Sequence, residues 1–145
     1  MKLYYIPASC SLSPHIVLNE LGLDATLIKV DHKTHLTDSG ANYFEVNRLG
    51  YVPAIELDDG TLLREGPAIV QWLADQVPDK QLAPANGTLA RYRLQEWLTF
   101  IGTELHKGFS PLFNPPRLTT TSPWCASGCC SACSGWMASS RASST

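Results

Sequence analysis

The stretch at residues 51–78, YVPAIELDDGTLLREGPAIVQWLADQVP, decides the fold of this chain. Two short and mostly apolar segments, residues 54–57 and 61–64, flank an Asp-Asp-Gly turn, where glycine supplies the positive φ of a tight hairpin. The residues that follow place apolar side chains at helical spacing, with a proline in the tolerated early position, until Pro78 ends the pattern. The stretch therefore predicts two antiparallel strands followed by a helix.

The first 30 residues predict a second unit of similar kind. Residues 2–6 and 26–30 are short, mostly apolar and rich in aromatic or β-branched side chains, which is typical of buried strands. Residues 13–21 lie between them and have helical character, with Ser11 or Ser13 available as the N-cap. The start of the chain is therefore predicted to be strand, helix, strand.

The predicted order, β-α-β followed by β-β-α, is the one used by thioredoxin-like α/β folds. Residues 1–80 are predicted to form such a domain, and residues 81–87 a linker. Residues 88–118 are expected to begin an all-α domain, because their apolar side chains form a broad helical stripe that another surface must cover. Residues 119–145 are rich in Ser, Cys and Ala and have no helical period, which predicts an unstructured tail.

The composition excludes several classes of protein. The hydrophobic fraction of 44% is typical of a globular protein, and a formal net charge of −2 offers no footprint for nucleic acid or an anionic membrane. No apolar run is long enough to span a membrane or to serve as a signal peptide, so a cytoplasmic protein is expected. Four cysteines within residues 125–133 lack a histidine and two separated ligand pairs, so no metal site is expected.

Cys10 is the first candidate for chemistry, because it lies in the predicted turn between the first strand and the first helix. Free backbone N–H groups and the helix dipole favour a thiolate at such a position, so we expect a lowered pKa and fast alkylation at mildly acidic pH. The sequence Cys-Ser-Leu-Ser lacks the second thiol that would resolve an intramolecular disulfide. A buried and inert cysteine is the alternative interpretation.

Two further segments have features of a peptide-binding site. Val52-Pro53 precedes a strand, and a cis bond there would present the backbone of Val52 to an extended ligand. Glu65 and Gly66 open the second predicted helix, where free N–H groups can hold a carboxylate while Glu65 pairs with an ammonium group. A γ-glutamyl group carries both charges. The alternative for Glu65 is a simple helix-capping acid.

His106 and Lys107 end the long helical stripe that begins at residue 88. Either side chain could serve as a solvated cation that interacts with the helix dipole, which is the commoner role. A catalytic role requires the fold to bring them near Cys10.

Three stretches together resemble the bacterial beta-class glutathione transferases. They are MKLYYIPASCSLSPHIVL at residues 1–18, NRLGYVPAIELDDGTLLREGPAIVQWLAD at residues 47–75 and LQEWLTFIGTELHKGFSPLF at residues 94–113. The resemblance implies a thioredoxin-like glutathione-binding domain followed by an all-helical domain, usually in a homodimer. It also implies glutathione as a co-substrate, with no other cofactor, and a small electrophile or a disulfide as the second substrate.

Residue by residue, the resemblance assigns Cys10 as the active-site cysteine and Val52, followed by Pro53, as the partner of the glutathione backbone. It assigns Glu65 and Gly66 to the γ-glutamyl end. His106, with Lys107 beside it, would approach the thiol from the second domain.

At four positions the chain differs from the pattern of that family. Gly66 stands where relatives often have a serine hydroxyl, and Tyr51 stands where an amide is common. His35 replaces a common lysine and Thr99 a common asparagine, and both remain candidates for glutathione binding. The resemblance also implies that about half of the usual helical domain is absent, and residues 119–145 resemble out-of-frame translation.

Three functions follow from these observations. The first is a glutathione transferase that binds glutathione in the N-terminal domain and transfers it to an electrophile, with Cys10 at the thiol. The second is glutaredoxin-like thiol–disulfide exchange through a Cys10–glutathione mixed disulfide. The third is a catalytically inactive fragment that acts at most as a binding module.

Overall fold

The computed structural model describes residues 1–110, and the predictions for residues 111–145, including the tail, lie outside the described residues. The four strands are β1 (Lys2–Tyr5), β2 (Thr26–Lys29), β3 (Ala54–Glu56) and β4 (Leu62–Arg64), and the main helices are α1 (Leu12–Leu21), α2 (Gly66–Gln76) and α3 (Leu89–Phe100). Short 3-10 helices occupy Tyr43–Glu45 and Pro78–Lys80, and a π-helical segment, Ile101–His106, follows α3. The predicted order β-α-β, β-β-α is confirmed, and the ends of the elements differ from prediction by one or two residues.

The chain divides into two units, Met1–Arg91 and Tyr92–Thr145. The first unit contains the sheet, α1 and α2. The boundaries predicted from the sequence, a domain ending at residue 80 and a linker at residues 81–87, stay predictions.

The sheet has the strand order β2-β1-β3-β4. β1 runs parallel to β2 and antiparallel to β3, and β3 runs antiparallel to β4. Because Tyr4 is opposite Ala54 and Ala54 is opposite Arg64, the end of β1, the start of β3 and the end of β4 lie at the same edge of the sheet. The segments that follow β1, precede β3 and follow β4 therefore meet there.

Alternation along β1 separates two hydrophobic clusters, because successive side chains of a strand point to opposite faces. Leu3 belongs to the cluster that α1 and α2 cover, whose other members are Leu18, Leu21, Ile55, Ile69 and Leu73. Tyr4 belongs to the cluster on the other side, with Val30, Tyr43 and Ala54. Each cluster takes residues from both β1 and β3, so the centre of the sheet is buried on both faces.

The first helix begins at the predicted place but is capped differently. Ser11 occupies the N-cap position and is buried, yet its side chain makes no capping hydrogen bond. Its hydroxyl instead accepts from the Ile6 N–H at 3.1 Å and lies 3.0 Å from the Ile6 carbonyl oxygen. Ser11 is thus the N-cap residue, as the sequence allowed, but it makes no capping bond because its hydroxyl is used by the turn after β1.

Between β2 and β3, the sequence pattern predicts no helix or strand. The structure holds this segment with two isolated bridges, Val30 with Thr37 and Leu36 with Asn42. Asn42 then caps the 3-10 helix Tyr43–Glu45 by accepting a hydrogen bond from the N–H of its second residue at 3.1 Å. The segment therefore closes the second hydrophobic cluster with the fully buried ring of Tyr43.

Arg91, at the start of α3, connects the segment that follows α2 to α2 itself. Its side chain is 3% exposed and forms a two-pronged ion pair with Asp75, at 2.9 and 2.7 Å. The same guanidinium donates to the carbonyl oxygen of Pro84 at 3.0 Å and to Oε1 of Gln71 at 3.2 Å. The guanidinium thus fixes part of the predicted linker onto α2.

Candidate functional site

The structure brings together five of the six site residues that the sequence singled out in the first unit, all but His35. Cys10 follows β1, Val52-Pro53 precedes β3, and Glu65 and Gly66 begin α2 after β4. The thiol of Cys10 donates a hydrogen bond to the carbonyl oxygen of Val52, with Sγ and O 3.3 Å apart. A Cβ placed on Gly66 would lie 3.7 Å from Cγ of Pro53. The three segments therefore form one site at the edge of the sheet.

A network of hydroxyls holds the turn that carries Cys10. Ser9 and Ser11 lie on either side of it, with their Oγ atoms 2.7 Å apart. Both hydroxyls reach the carbonyl oxygen of Ile6, at 2.8 and 3.0 Å. Ala8 takes a positive φ of 58° within this turn. The position of Cys10 is thus fixed by the backbone at the end of β1.

Cys10 is exposed, but the pKa of its thiol is raised above the ordinary value and not lowered as the sequence predicted. Desolvation at the sulfur is the main cause, and the negative charge of Glu65 adds to it. Hydrogen bonds from the backbone N–H groups of Cys10 and Ser11 favour the thiolate, yet they are outweighed. The neutral thiol is also the form that can donate to the Val52 carbonyl. The helix start alone is therefore insufficient to make this cysteine a thiolate.

We predict that alkylation of Cys10 by iodoacetamide is slow at pH 6 and keeps rising above pH 9, because only the thiolate reacts and the raised pKa keeps it scarce. Peptide mass spectrometry after timed alkylation would follow Cys10 separately from the cysteines at residues 125–133. A small cysteine derivative with an ordinary pKa is the control. Faster reaction of Cys10 than of that control at pH 6 would contradict the prediction.

Glu65 does not behave as a capping acid. It occupies the N-cap position of α2, but its side chain makes no capping hydrogen bond. Its backbone has φ 69° and ψ 116°, a conformation that a residue with a side chain seldom adopts. The side chain is exposed. The carboxylate is thus presented at the site and is not used by its own helix.

The first turn of α2 offers one backbone donor. The N–H groups of Ala68 and Ile69 both donate to the carbonyl oxygen of Glu65, at 3.0 Å each. Pro67 has no N–H, so Gly66 supplies the amide of this turn that can bind a ligand. An anion is favoured there by the helix dipole.

The peptide bond between Val52 and Pro53 is cis, as the sequence pattern allowed. The residue before it, Tyr51, has an exposed side chain and a carbonyl that accepts two hydrogen bonds. These come from Tyr43 and Asn47, two buried residues that sequence reasoning missed. Their spacing of four puts them on one side of a helical turn, but nothing in the sequence indicates which carbonyl they reach.

His35 lies beside the same loop. Its backbone has a positive φ of 55°, and its ring packs on Phe44 with a centroid distance of 4.6 Å. The Nδ1 atom is buried and has no hydrogen-bond partner among the described residues. A Cβ on Gly50 would lie 3.1 Å from that atom, so glycine leaves room for the ring. Its role in glutathione binding stays a prediction.

The remaining predicted residues belong to the second unit. Thr99 lies near the end of α3, His106 is the last residue of the π-helical segment, and Lys107 follows it. All three are exposed. Their roles toward glutathione and Cys10 stay the predictions that the resemblance implies.

Within residues 1–110, no group of three or more His, Cys, Asp or Glu side chains is placed to hold a metal ion. In the same part of the chain, no helix has both the length and the apolar character that crossing a membrane requires.

Comparison with known proteins shows the family to which the chain is similar. Residues 8–76 match the family described as "Glutathione S-transferase, N-terminal domain". The chain is 56% identical over 115 residues to glutathione S-transferase GstA of Escherichia coli O157:H7, a match that covers 79% of this chain and 57% of the relative. The chain thus spans less than two thirds of the length of this relative.

Solved structures agree with this match. A ternary complex of BphK, a bacterial glutathione transferase, has a TM-score of 0.83 and 55% identity, over 96% of this chain and 68% of that one. A sphingomonad glutathione S-transferase complexed with glutathione has a TM-score of 0.81 and 44% identity, over 96% of this chain and 67% of that one. With a matching family domain, close relatives and a shared fold, the chain belongs to the glutathione S-transferase family.

Proposed function

We propose that the chain binds glutathione at the edge of the sheet and transfers it to an electrophile, with the thiol of Cys10 next to the glutathione sulfur. The observation that carries this proposal is the convergence of a thiol, a cis-prolyl segment and a helix start on one edge, with Cys10 Sγ 3.3 Å from the Val52 carbonyl oxygen. Glutathione is the co-substrate in this scheme. It carries a γ-glutamyl end, a thiol and an extended backbone, which are the groups that these segments suit.

Each part of glutathione has a partner of matching chemistry. The exposed carboxylate of Glu65 would pair with the γ-glutamyl ammonium group. The Gly66 N–H at the start of α2 would donate to the γ-glutamyl carboxylate. The backbone of Val52 would pair with the extended backbone of the cysteinyl residue, as a strand edge pairs with a peptide.

The protonated thiol of Cys10 fits the role of a hydrogen-bond donor to glutathione, and on binding its proton would turn from the Val52 carbonyl oxygen to the glutathione sulfur. A donor aimed at a sulfur anion stabilises it and lowers the pKa of the glutathione thiol. The glutathione thiolate would then attack the electrophile, forming a sulfur–carbon bond while the leaving group departs with its electron pair. The thiol proton of glutathione goes to solvent, and Cys10 keeps its own proton.

Thiol–disulfide exchange would instead need Cys10 as a thiolate nucleophile. The raised pKa of Cys10 disfavours that role, although the side chain is exposed and open to reagents. Two substitutions distinguish the roles, because serine keeps a hydrogen-bond donor but cannot form a disulfide, whereas alanine loses both.

The test measures glutathione binding by calorimetry, together with the rates of conjugation and of disulfide reduction, for the original chain, Cys10→Ser and Cys10→Ala. Under the transferase proposal, Cys10→Ser keeps part of the conjugation rate and Cys10→Ala loses more. Equal and complete loss in both variants, with disulfide reduction in the original chain, would favour exchange. A chain that binds no glutathione would overturn both.

We also propose that the chain acts in the cytoplasm as a homodimer. Large apolar side chains on the first unit are exposed, among them Leu49 and Tyr51. Where exposed apolar side chains form a contiguous surface patch, they favour association with another subunit. Light scattering of the purified chain would give its mass in solution.

Gly66→Ser should bind glutathione more tightly than the original chain. The added Cβ would lie at ordinary contact distance, 3.7 Å, from Pro53, so we expect the fold to accept it. The new hydroxyl can donate to the γ-glutamyl carboxylate, for a gain of about 0.5–1.5 kcal/mol. Calorimetry would compare it with Gly66→Ala, which adds the same Cβ without a hydroxyl. An alanine variant that binds as tightly as the serine variant would count against a role for the hydroxyl.

A further inference from the structure

The carbonyl oxygen of Tyr51 receives hydrogen bonds from two buried side chains. The hydroxyl of Tyr43 and the Nδ2 atom of Asn47 each lie 2.8 Å from it. Tyr43 is 0% exposed and Asn47 is 2% exposed. A carbonyl oxygen has two acceptor sites, and here both are used by side chains and not by a strand partner.

The side chain of Tyr51 does not explain this arrangement, since it is 67% exposed. What the two donors fix is its backbone, at the residue directly before the cis-prolyl segment. The next carbonyl along the chain, that of Val52, accepts the Cys10 thiol. The ring of Pro53 then faces Gly66 at the start of α2. Val52 is therefore held from both sides.

The two donors are themselves rigidly placed. Asn47 donates its N–H to the carbonyl oxygen of Tyr43 at 2.9 Å, and its Oδ1 accepts from Leu49 at 3.3 Å. The ring of Tyr43 packs on that of Tyr4 in β1, with a centroid distance of 5.3 Å. Burial raises the pKa of Tyr43, so its hydroxyl stays protonated and remains a donor. The carbonyl of Tyr51 is thus bonded to a residue of the second hydrophobic cluster, the one that contains Tyr4 and Tyr43.

We propose that Tyr43 and Asn47 are positioning residues that set the backbone of Val52 for an extended thiol peptide. The inference rests on the proposed function, because it assigns a use to the same edge of the sheet. Neither residue touches the ligand in this scheme. They act through the Tyr51 carbonyl, and they hold the peptide edge in its binding geometry before the ligand arrives.

Fixing the backbone of residues 51–53 before the ligand binds matters, because ordering a backbone residue during binding costs conformational entropy. If one donor is lost, residues 51–53 gain freedom that binding must remove again. The conformational entropy lost when the backbone of one residue is fixed again on binding corresponds to about 5- to 30-fold weaker binding. The same loosening would weaken the contact between Val52 and the Cys10 thiol.

The test is Tyr43→Phe, which removes one hydroxyl and keeps the buried ring. Its matched control is Tyr4→Phe, which removes the hydroxyl of the neighbouring ring. That hydroxyl donates at 2.7 Å to Glu56, at the end of β3 away from residues 51–53. We expect Tyr43→Phe to weaken glutathione binding about 5- to 30-fold, and Tyr4→Phe to leave the dissociation constant within about twofold. If Tyr43→Phe lowers the melting temperature but binds glutathione like the original chain, the residue is only structural and the proposal is overturned.

A second readout needs no glutathione. The bond from Cys10 to the Val52 carbonyl favours the neutral thiol, so displacing that carbonyl should move the pH profile of Cys10 alkylation to lower pH in Tyr43→Phe. Glu65 is the charged group that acts on this thiol, and it is unchanged in the variant. An unshifted profile would overturn the proposal independently of whether the chain binds glutathione. Asn47→Ala, if it folds, should give the same direction in both measurements.

Discussion

Replacing Arg91 by methionine should lower the free energy of unfolding by about 3 kcal/mol at pH 7. The guanidinium is 3% exposed and pairs with both oxygens of Asp75, so its removal leaves a partly buried carboxylate without a counter-charge. Asp75 is 35% exposed and also accepts a hydrogen bond from Asn86, so water and Asn86 still stabilise its charge in the variant. The loss of stability should therefore lie at the lower end of the range for a broken buried ion pair. Urea unfolding followed by circular dichroism would measure it.

The control is Arg93→Met on the same helix. Arg93 and Glu96 are both exposed and lie 3.7 Å apart, a geometry that contributes less than about 1 kcal/mol. Equal destabilisation by the two substitutions would show that Arg91 acts only through its aliphatic part or not at all.

The effect of Arg91→Met should also depend on pH. Arg91 is the main cause of the lowered pKa of Asp75 in the folded chain. A lowered carboxyl pKa contributes stability above the ordinary value of about 3.9, and this stability is lost as the pH falls through the folded pKa. The difference between the original chain and Arg91→Met should therefore be complete at pH 7 and shrink at acidic pH. A difference that stayed constant down to pH 3 would mean that the ion pair is not its source.

The sequence was sufficient to predict the elements of the first unit because each has a local signal. The Asp-Asp-Gly turn marks the hairpin, and apolar spacing with Pro78 marks the end of α2. Gly22 stops α1 in the left-handed conformation that glycine favours. Such signals depend on a few neighbouring residues, so they survive without knowledge of the fold.

The same reasoning failed where the partner of a side chain depends on the folded backbone. Ser11 is the N-cap residue of α1, but its hydroxyl bonds to Ile6 in the turn and does not cap the helix. The pKa of Cys10 was expected to fall with the helix start, but desolvation and Glu65 raise it. The partner of Ser11 depends on the conformation of its turn, and the groups that act on Cys10 come from packing and from the start of α2, so local sequence specifies neither.

Tyr43 and Asn47 are a third case. Nothing in the sequence indicates their role, because an aromatic ring and an amide between two strands are common and carry no chemistry by themselves. Only the position of the Tyr51 carbonyl, fixed by the fold, makes them donors to the edge of the site. The candidate site could be predicted at the residues that would touch a ligand, and not at those that hold them in place.

Glu65→Gln should weaken glutathione binding about 10- to 100-fold, which corresponds to about 1.5–3 kcal/mol for a lost charge-assisted hydrogen bond. Glutamine keeps the size of the side chain and a carbonyl oxygen, but it has no charge for the γ-glutamyl ammonium group. Because the Glu65 side chain makes no capping bond in α2, its contribution to that helix is the interaction of its charge with the helix dipole, which is less than about 1 kcal/mol. The melting temperature of the unliganded variant should therefore lie close to that of the original chain.

The matched control for this prediction is Glu20→Gln, which removes an exposed carboxylate from α1. It lowers the net negative charge by the same amount, so it separates a local pairing from a general effect of charge. Titration calorimetry with glutathione and with a derivative that lacks the γ-glutamyl ammonium group would complete the comparison. Glu65→Gln should lose affinity for glutathione, whereas Glu65→Gln and the original chain should bind the derivative equally. If Glu65→Gln and Glu20→Gln bound glutathione alike, the unusual backbone of Glu65 would need an explanation other than ligand binding.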